Sequence, residues 1–265
     1  MQDLKVSIIQ SDLIWKDVDA NLASFAYDID QIQEDIDLIV LPEMFNMGFV
    51  VDPEDVAEEM EGKSMQWLRD QAKQKQAVIC ASIIILENGN YYNRLLWVQP
   101  NGHFQHYDKR HLFSLGGEHH KFTAGRTESP IVELKGWKIK PLVCYDLRFP
   151  VWAKNNYSKG EYEYDLLIYI ANWPASRRDP WMSLLKARAI ENQVYVIGVN
   201  RIGEDGNGLA HAGDSNIYDA KGKKLIKHAS NTEYTETLSL SKKTLNDFRE
   251  KFTVGLDWDR FFVEK

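Results

Sequence analysis

The sequence predicts an α/β fold (α+β in some schemes), with a mixed β-sheet covered by helices in one domain. Three observations predict it: short apolar runs rich in Val and Ile, stretches of helical spacing between these runs, and Asn-Gly turns. Helices that alternate with buried strands favour a layered fold, and the Asn-Gly turns add hairpins to it. The order of the strands does not follow from these patterns.

The predicted strands are apolar runs of strand length. They cover residues 5–10, 37–42, 77–86, 94–100, 103–109, 139–146, 165–172 and 194–200. Several are continuously apolar, which is typical of strands that are covered on at least one face and often on both. Asn-Gly pairs at 88–89 and 101–102 predict hairpins, and the segment 219–224 predicts a third turn between two C-terminal strands.

Helical spacing is present in four stretches, residues 17–33, 53–74, 180–192 and 241–251. In the first of them an apolar stripe recurs every three or four residues, as expected for a helix that covers a core. Pro180 suits a first helical position, and Ser241 is a plausible N-cap. The sequence therefore predicts helices that cover the strands.

Composition limits the class of protein. The chain has 265 residues, of which 44% are hydrophobic and 27% charged, so one domain over residues 1–265 can bury a large core. Two cysteines are too few for a secreted disulfide framework, and neither a signal peptide nor a membrane span is evident, so we expect a cytoplasmic protein. A formal net charge of −7 argues against a nucleic-acid partner.

The two cysteines lie in different sequence environments. Cys80 lies inside an apolar run and is best explained as a small buried hydrophobe. Cys144 ends its run in "KIKPLVCYDLRFP" and is followed by Tyr145, Asp146 and Arg148. A cysteine at a strand end and a sharp turn can project its sulfur toward a substrate, which makes Cys144 a candidate nucleophile. A structural cysteine is an equally good explanation of this position alone.

Three further polar residues are candidates for the site, two near the ends of predicted strands and one after a pair of glycines. Glu43 follows "DLIVLP", Lys109 ends the strand at 103–109, and Glu118 follows two glycines in "GGEHHKF". Glu43 has an ordinary explanation as a helix-capping or solvated glutamate, and Lys109 has one as part of a basic surface turn. The adjacent His119 and His120 admit a metallohydrolase, but the usual zinc spacings are absent.

Together the motifs resemble the nitrilase (carbon–nitrogen hydrolase) superfamily. The segments that carry the resemblance are "LPEMF", "YDKRHLF", "GEHHKFTAG", "CYDLRFP" and "ANWP", in that order along the chain. The resemblance spans residues from about 4 to about 255 and is closest to the omega-amidase branch, which hydrolyses 2-oxoglutaramate and 2-oxosuccinamate. It implies a four-layer α-β-β-α sandwich that pairs into homodimers.

The resemblance also implies roles for residues. Glu43, Lys109 and Cys144 match the family's catalytic set, and Glu118 matches its second glutamate, which positions Lys109 and the substrate. The backbone N–H of Tyr145 would help Lys109 hold an oxyanion. No metal or organic cofactor is required. The C-terminal segment, about 241–265, either forms a dimer arm or closes the core.

The residues near Cys144 suggest a small carboxylated amide as the substrate. Arg148 lies four residues beyond the nucleophile, and a guanidinium can hold a carboxylate with two parallel hydrogen bonds. The alternative is a structural ion pair between Arg148 and Asp146 or another carboxylate. Trp173, in "ANWPASRR", would form an apolar wall of the pocket, although ordinary packing explains it nearly as well.

Other functions also remain open. Within the same chemistry, the chain could be a nitrilase, an N-carbamoyl amide hydrolase or a broad aliphatic amidase. Outside it, the chain could be a metallohydrolase or a catalytically silent binding protein with the same fold. The presence of Glu43, Lys109 and Cys144 together argues against the silent protein.

Overall fold

Two β-sheets pack face to face at the centre of the molecule, and helices cover their outer faces. The computed structural model describes residues 2–263. Met1, Glu264 and Lys265 lie outside the described residues. The predicted domain 1–265 and the predicted arm 241–265 include these positions, so the structure describes only their remaining residues. The layered order agrees with the predicted α-β-β-α sandwich.

The strands and helices alternate along most of the chain. The strands are β1 (Leu4–Gln10), β2 (Leu38–Val40), β3 (Val78–Glu87), β4 (Asn90–Val98), β5 (Phe104–Asp108), β6 (Val132–Leu134), β7 (Trp137–Val143), β8 (Tyr157–Ser158), β9 (Glu161–Tyr162), β10 (Leu166–Ala171), β11 (Tyr195–Asn200), β12 (Ile202–Glu204), β13 (Ala210–Ala212), β14 (Asn216–Tyr218) and β15 (Tyr234–Leu240). The helices are α1 (Val18–Asp30), α2 (Lys63–Lys75), α3 (Arg178–Asn192) and α4 (Lys242–Lys251).

Each large sheet has a parallel centre with antiparallel edges. The first sheet has the order β15-β1-β2-β3-β4-β5, and the second has the order β14-β11-β10-β7-β6. The strands β1, β2 and β3 are parallel to one another, as are β7, β10 and β11. Two short hairpins, β8-β9 and β12-β13, lie outside these sheets. The predicted mixed topology is therefore confirmed.

The apolar strands of the first sheet are covered on both faces, and alternation decides which side chain meets which layer. In β2, Leu38 and Val40 join the core between the two sheets, whereas Ile39 joins the core beneath α1 and α2. In the same way Cys80 of β3 faces the inter-sheet core, fully buried. Successive strand side chains point to opposite faces, so a continuous apolar run serves two cores.

Two predicted helices differ from the structure in their bounds. The helix predicted over 53–74 begins only at Lys63, because the chain from 53 to 62 forms turns and a single β-bridge at Glu58. The helix predicted to begin at Pro180 begins at Arg178, so Pro180 is its third residue. Proline is tolerated there because the first turn of a helix has no partner for its N–H groups.

The C-terminal helix agrees with its predicted start. Ser241 caps α4 by accepting a hydrogen bond from the Thr244 amide. The predicted turn at 219–224 is present, but it joins β14 to a single bridged residue, Lys224, rather than to a second strand. Within residues 2–263 no helix has both the length and the apolar character that crossing a bilayer requires.

Candidate active site

Four side chains meet where strands of the two sheets end. Glu43 follows β2, Lys109 follows β5, Cys144 follows β7 and Asn172 follows β10. The carboxyl ends of these strands lie at one edge of the packed sheets, and this is where α/β proteins most often bind ligands. The structure therefore brings together residues from four distant parts of the sequence.

The amine of Lys109 lies between two carboxylates. Its Nζ is 3.0 Å from Glu43 Oε1, and 3.0 and 2.9 Å from the two carboxylate oxygens of Glu118. None of the three side chains has any solvent exposure. Glu118 is held in turn by the backbone N–H of Phe113, which donates to its Oε2 at 2.6 Å. The ammonium is therefore fixed in position by charge on two sides.

The electrostatics of this group follow from its burial. Burial alone would lower the pKa of Lys109, but the charges of Glu118 and Glu43 outweigh it and hold that pKa above its ordinary value. Burial raises the pKa of Glu118, with Lys109 opposing the shift and Glu43 adding to it. Lys109 is thus a permanent cation between two acids.

Three hydrogen bonds hold Glu43 in addition to its ion pair with Lys109. Its Oε2 accepts a hydrogen bond from the Asn172 backbone N–H at 2.8 Å, and its Oε1 accepts one from Asn93 Nδ2 at 2.7 Å. The Asn172 side chain also donates to the backbone carbonyl of Glu43. These bonds fix the orientation of the carboxylate, so that it is positioned before any substrate arrives.

Cys144 lies at a strained point of the backbone. Its φ is +43°, a left-handed conformation that is unusual for a residue with a side chain. It is the first residue of the 3₁₀ turn Cys144–Arg148, directly after β7. The predicted sharp turn at the strand end is therefore present.

The Cys144 thiol lies close to the Glu43 carboxylate and interacts with it electrostatically. Burial and the charge of Glu43 raise the pKa of Cys144, while Lys109 opposes the shift. The sulfur is consequently a thiol that is held against a carboxylate, not a free thiolate. Cys80, by contrast, has a pKa raised by burial alone, as expected for an inert core residue.

A cavity of about 150 Å³ that is partly open to solvent lies beside Cys144. Cys144, Lys109, Tyr145, Arg148 and Trp173 all line it. All three predicted substrate-binding residues therefore line one cavity together with Cys144. Glu43 and Glu118 do not line it, because they are buried behind Lys109 and Cys144.

Arg148 is not paired with Asp146, which removes the predicted structural alternative. Asp146 accepts hydrogen bonds from the Tyr107 hydroxyl and the Val143 amide and contacts the ring of His111. The guanidinium of Arg148 lies 4.9 Å from the centre of the Trp173 ring, over its face. Within residues 2–263 no carboxylate forms an ion pair with Arg148.

Trp173 is anchored as well as stacked. Its backbone N–H donates to Asn200 at 2.7 Å, and its indole N–H donates to the Arg177 carbonyl at 2.8 Å. The side chain is buried and packs against Trp181. Both predicted roles, cavity wall and packing, therefore apply to the same ring.

The two histidines considered as possible metal ligands do not line the cavity. His119 and His120 are exposed, with their rings 3.9 Å apart. In the described part of the chain, no three His, Cys, Asp or Glu side chains are arranged to hold a metal ion.

The sequence did not single out Asn93, Asn172 or His211. Asn93 and Asn172 hold Glu43, and His211 lines the cavity on β13. The position of Asn172 at the end of a predicted strand could have indicated a site residue. Asn93 lies within a strand and His211 lies in a segment with no strand pattern, so the sequence contains no comparable indication for either of them.

The sequence matches one family model, described as carbon-nitrogen hydrolase, over residues 5–250. It is 43% identical over 263 residues to the omega-amidase YafV of Yersinia enterocolitica, covering 99% of this chain and all of that protein. It is also 34% identical over 223 residues to the 2-oxoglutaramate amidase of Bacillus subtilis, covering 83% of this chain and 84% of that one.

The fold matches solved structures equally well. A CN-hydrolase superfamily protein from Xanthomonas campestris, solved with an arsenic adduct in its active site, superposes with a TM-score of 0.97. It is 40% identical in sequence, and each chain covers the other fully. Nit3 of Saccharomyces cerevisiae, a nitrilase-superfamily member, superposes with a TM-score of 0.82 at 25% identity, covering 95% of this chain and 94% of that one.

Proposed function

The chain belongs to the carbon–nitrogen hydrolase family, and we propose that it releases ammonia from the terminal amide of a small omega-amido-2-oxo acid. The candidate substrates are 2-oxoglutaramate and 2-oxosuccinamate. The observation that carries the proposal is one cavity lined by Cys144, Lys109 and Arg148, in which the Arg148 guanidinium has no carboxylate partner among residues 2–263. Similarity to proteins named omega-amidase and 2-oxoglutaramate amidase supports the same substrate class.

In the proposed first half-reaction, Glu43 acts as the general base. It takes the thiol proton as the sulfur of Cys144 attacks the amide carbon. The oxyanion that forms is held by the ammonium of Lys109 and the backbone N–H of Tyr145, and removing one such donor typically costs about 2.7–4 kcal/mol of transition-state stabilisation. Glu43 then gives its proton to the amide nitrogen, the C–N bond breaks, and ammonia leaves a thioester.

In the second half-reaction, water replaces ammonia. Glu43 takes a proton from water as its oxygen attacks the thioester carbon, and the same donors hold the second oxyanion. The C–S bond then breaks, the acid product leaves, and the proton returns to the sulfur of Cys144. The closeness of the thiol to Glu43 supports this role, because the proposed base then lies near the proton that it must remove.

Glu118 acts on the proposed reaction through Lys109. Because Lys109 is a cation held by Glu118 and Glu43 together, its amine can stay in one place while charge develops on the substrate. A preorganised donor of this kind needs no reorganisation during the reaction. We therefore assign Glu118 as a positioning residue.

Arg148 is the proposed contact for the substrate carboxylate, and Trp173 is the proposed wall beside it. The ring of Trp173 supports one face of the guanidinium at 4.9 Å. Stacking of this kind leaves the N–H donors in the plane of the guanidinium available to an anion. A carboxylate at one end of the substrate would thus be held while its amide meets Cys144.

We also propose that the chain acts as one domain, in a homodimer, in the cytoplasm and without a nucleic-acid partner. Support for a dimer comes from apolar side chains left exposed near the C-terminus, Phe252, Leu256 and Phe262. The net charge of −7 supports the absence of a nucleic-acid partner. Light scattering coupled to gel filtration tests the dimer, and a monomer at micromolar concentration would contradict it.

A substrate panel scored by ammonia release tests the proposed reaction. It compares 2-oxoglutaramate and 2-oxosuccinamate with a nitrile, an N-carbamoyl amino acid and a neutral aliphatic amide. We expect the highest kcat/KM for the two oxo acids. A preference for the nitrile, the carbamoyl compound or the neutral amide would assign the chain to another activity of the family, and no turnover at all would favour a silent binding protein.

A further inference from the structure

A second arginine, Arg177, lines the same cavity as Arg148. It ends the 3₁₀ turn Ala175–Arg177, just before α3, and is half-buried. Among the described residues no carboxylate forms an ion pair with it, whereas its neighbour Arg178 donates two hydrogen bonds to Asp214. Of two adjacent arginines, one is used within the protein and the other faces the cavity.

Arg177 is held in the same way as Arg148. Its guanidinium lies 5.1 Å from the centre of the Phe113 ring, and its carbonyl accepts the Trp173 indole N–H. The ring of Trp173 in turn supports Arg148. Trp173 therefore contacts both the guanidinium of Arg148 and the backbone of Arg177, and each guanidinium rests on an aromatic face that leaves its N–H donors available.

The other charged groups that line the cavity are already engaged. Lys109 is paired with Glu43 and Glu118, and the Oδ1 of Asp205 accepts the backbone N–H groups of Asn207 and Leu209. His211 also lines the cavity, but burial and the charge of Arg201 lower its pKa to about 4, so it is neutral near pH 7. Among residues 2–263, Arg148 and Arg177 are thus the cations of the cavity lining that have no carboxylate partner and can bind an anionic ligand.

We propose that Arg177 is a second anchor for the substrate carboxylate, which lies between the guanidiniums of Arg148 and Arg177. This inference rests on the proposed function, because it takes the ligand to be an amide with a carboxylate at its far end. Two cations in the lining that also holds Cys144 and Lys109 would orient such a substrate with its carboxylate on the guanidiniums and its amide toward Cys144. Arg177 then determines specificity for charged over neutral amides.

Binding to an inactive variant tests the anchor without turnover. In a Cys144→Ala background, the Kd of 2-oxoglutaramate is measured by calorimetry with and without Arg177→Gln. We expect Arg177→Gln to weaken binding about 10- to 100-fold, the range for loss of a hydrogen bond to a charged group. Arg177→Lys should restore part of the affinity, because it keeps the charge and loses the planar fork.

The matched control is Arg126→Gln, which removes the same charge from an exposed residue outside the cavity and should leave Kd unchanged.

In the active enzyme, Arg177→Gln should raise KM and leave kcat near its parental value. A purely structural role through Phe113 would instead lower kcat and the melting temperature. That result, or an unchanged Kd, would overturn the anchor and leave the amidase intact. If Cys144→Ala alone fails to bind 2-oxoglutaramate, the substrate class itself is wrong and the anchor falls with it.

Discussion

The amine of Lys109 lies 3.0 Å from Glu43 Oε1, although 66 residues separate the two in sequence. Both side chains are completely buried, and a second carboxylate, that of Glu118, contacts the same amine. A buried charge without its partner is strongly destabilising, so these residues depend on one another for folding as well as for chemistry. The group is therefore both an anchor between strand ends and a source of electrostatic stabilisation.

Removing the amine should affect stability and activity together. Lys109→Met leaves two carboxylates buried beside each other, and we expect the free energy of unfolding to fall by about 3–5 kcal/mol. Ammonia release should fall to background. Denaturant unfolding and the substrate assay measure the two effects.

The control for this change is Lys121→Met, which breaks an exposed ion pair with Glu54. Exposed pairs contribute little, so stability and activity should both remain near the parental values. Equal effects of the two substitutions on stability would contradict the mutual dependence of Lys109 and the two buried carboxylates.

The two glutamates of the group should differ in effect. Glu43→Gln keeps the size of the side chain and removes the proposed base, and general acid–base catalysis is typically worth about 10²- to 10⁴-fold in rate. We expect kcat to fall by that factor, with the fold retained. Glu118→Gln keeps an acceptor for the Phe113 amide and should cost less, because Glu118 acts through Lys109. Single-turnover ammonia release measures both, and near-parental activity of Glu43→Gln would disprove its role.

Arg148 should discriminate between charged and neutral substrates. Arg148→Lys keeps the charge but cannot hold a carboxylate with two parallel hydrogen bonds. KM for 2-oxoglutaramate should rise far more than KM for a neutral aliphatic amide of the same length. Steady-state kinetics on the two substrates measure this, and an equal rise for both would remove Arg148 from recognition of the carboxylate.

His211 should make the protein less stable in mild acid. Burial and the charge of Arg201 lower its pKa to about 4, whereas an unfolded histidine takes up its proton near pH 6.5. Between these values the unfolded chain binds more protons than the folded one, so the free energy of unfolding falls as the pH decreases from about 6.5 to about 4. The full loss corresponds to about 3 kcal/mol.

Substituting this histidine should flatten that part of the pH profile. His211→Gln cannot take up a proton, so its free energy of unfolding should vary less with pH in this interval, as measured by denaturant unfolding. His119→Gln, at an exposed position, is the control and should keep the parental slope. A parental slope in His211→Gln would show that other groups cause the acid sensitivity.

Much of the fold was predictable because the local sequence patterns agree with the burial of the same residues in the folded protein. The strand runs, the Asn-Gly hairpin at Asn88 and the Ser241 cap were all predicted and are present. The helix predicted over 53–74 was wrong in its first half, where the Glu58 side chain instead accepts the amide and hydroxyl of Ser64 at the start of α2. Such a side-chain contact leaves no periodic signal in the sequence.

The predicted site depended on the resemblance more than on periodicity. Strand ends marked Glu43, Lys109 and Cys144, but no local pattern could show that the three meet, because their meeting depends on the strand order in two sheets. Asn93 holds Glu43 from the middle of a strand, where it is indistinguishable from an ordinary polar residue. Residues that position others are the hardest to find from sequence for this reason.

Mass spectrometry of the protein quenched during turnover of 2-oxoglutaramate tests the covalent route most directly. Peptide mapping should locate an added acyl group on Cys144 and none on Cys80, which is sealed in the core between the sheets. Cys144→Ala should fold normally, carry no acyl group and release no ammonia. Ammonia release by Cys144→Ala at the parental rate, or an acyl group on a different residue, would contradict the account.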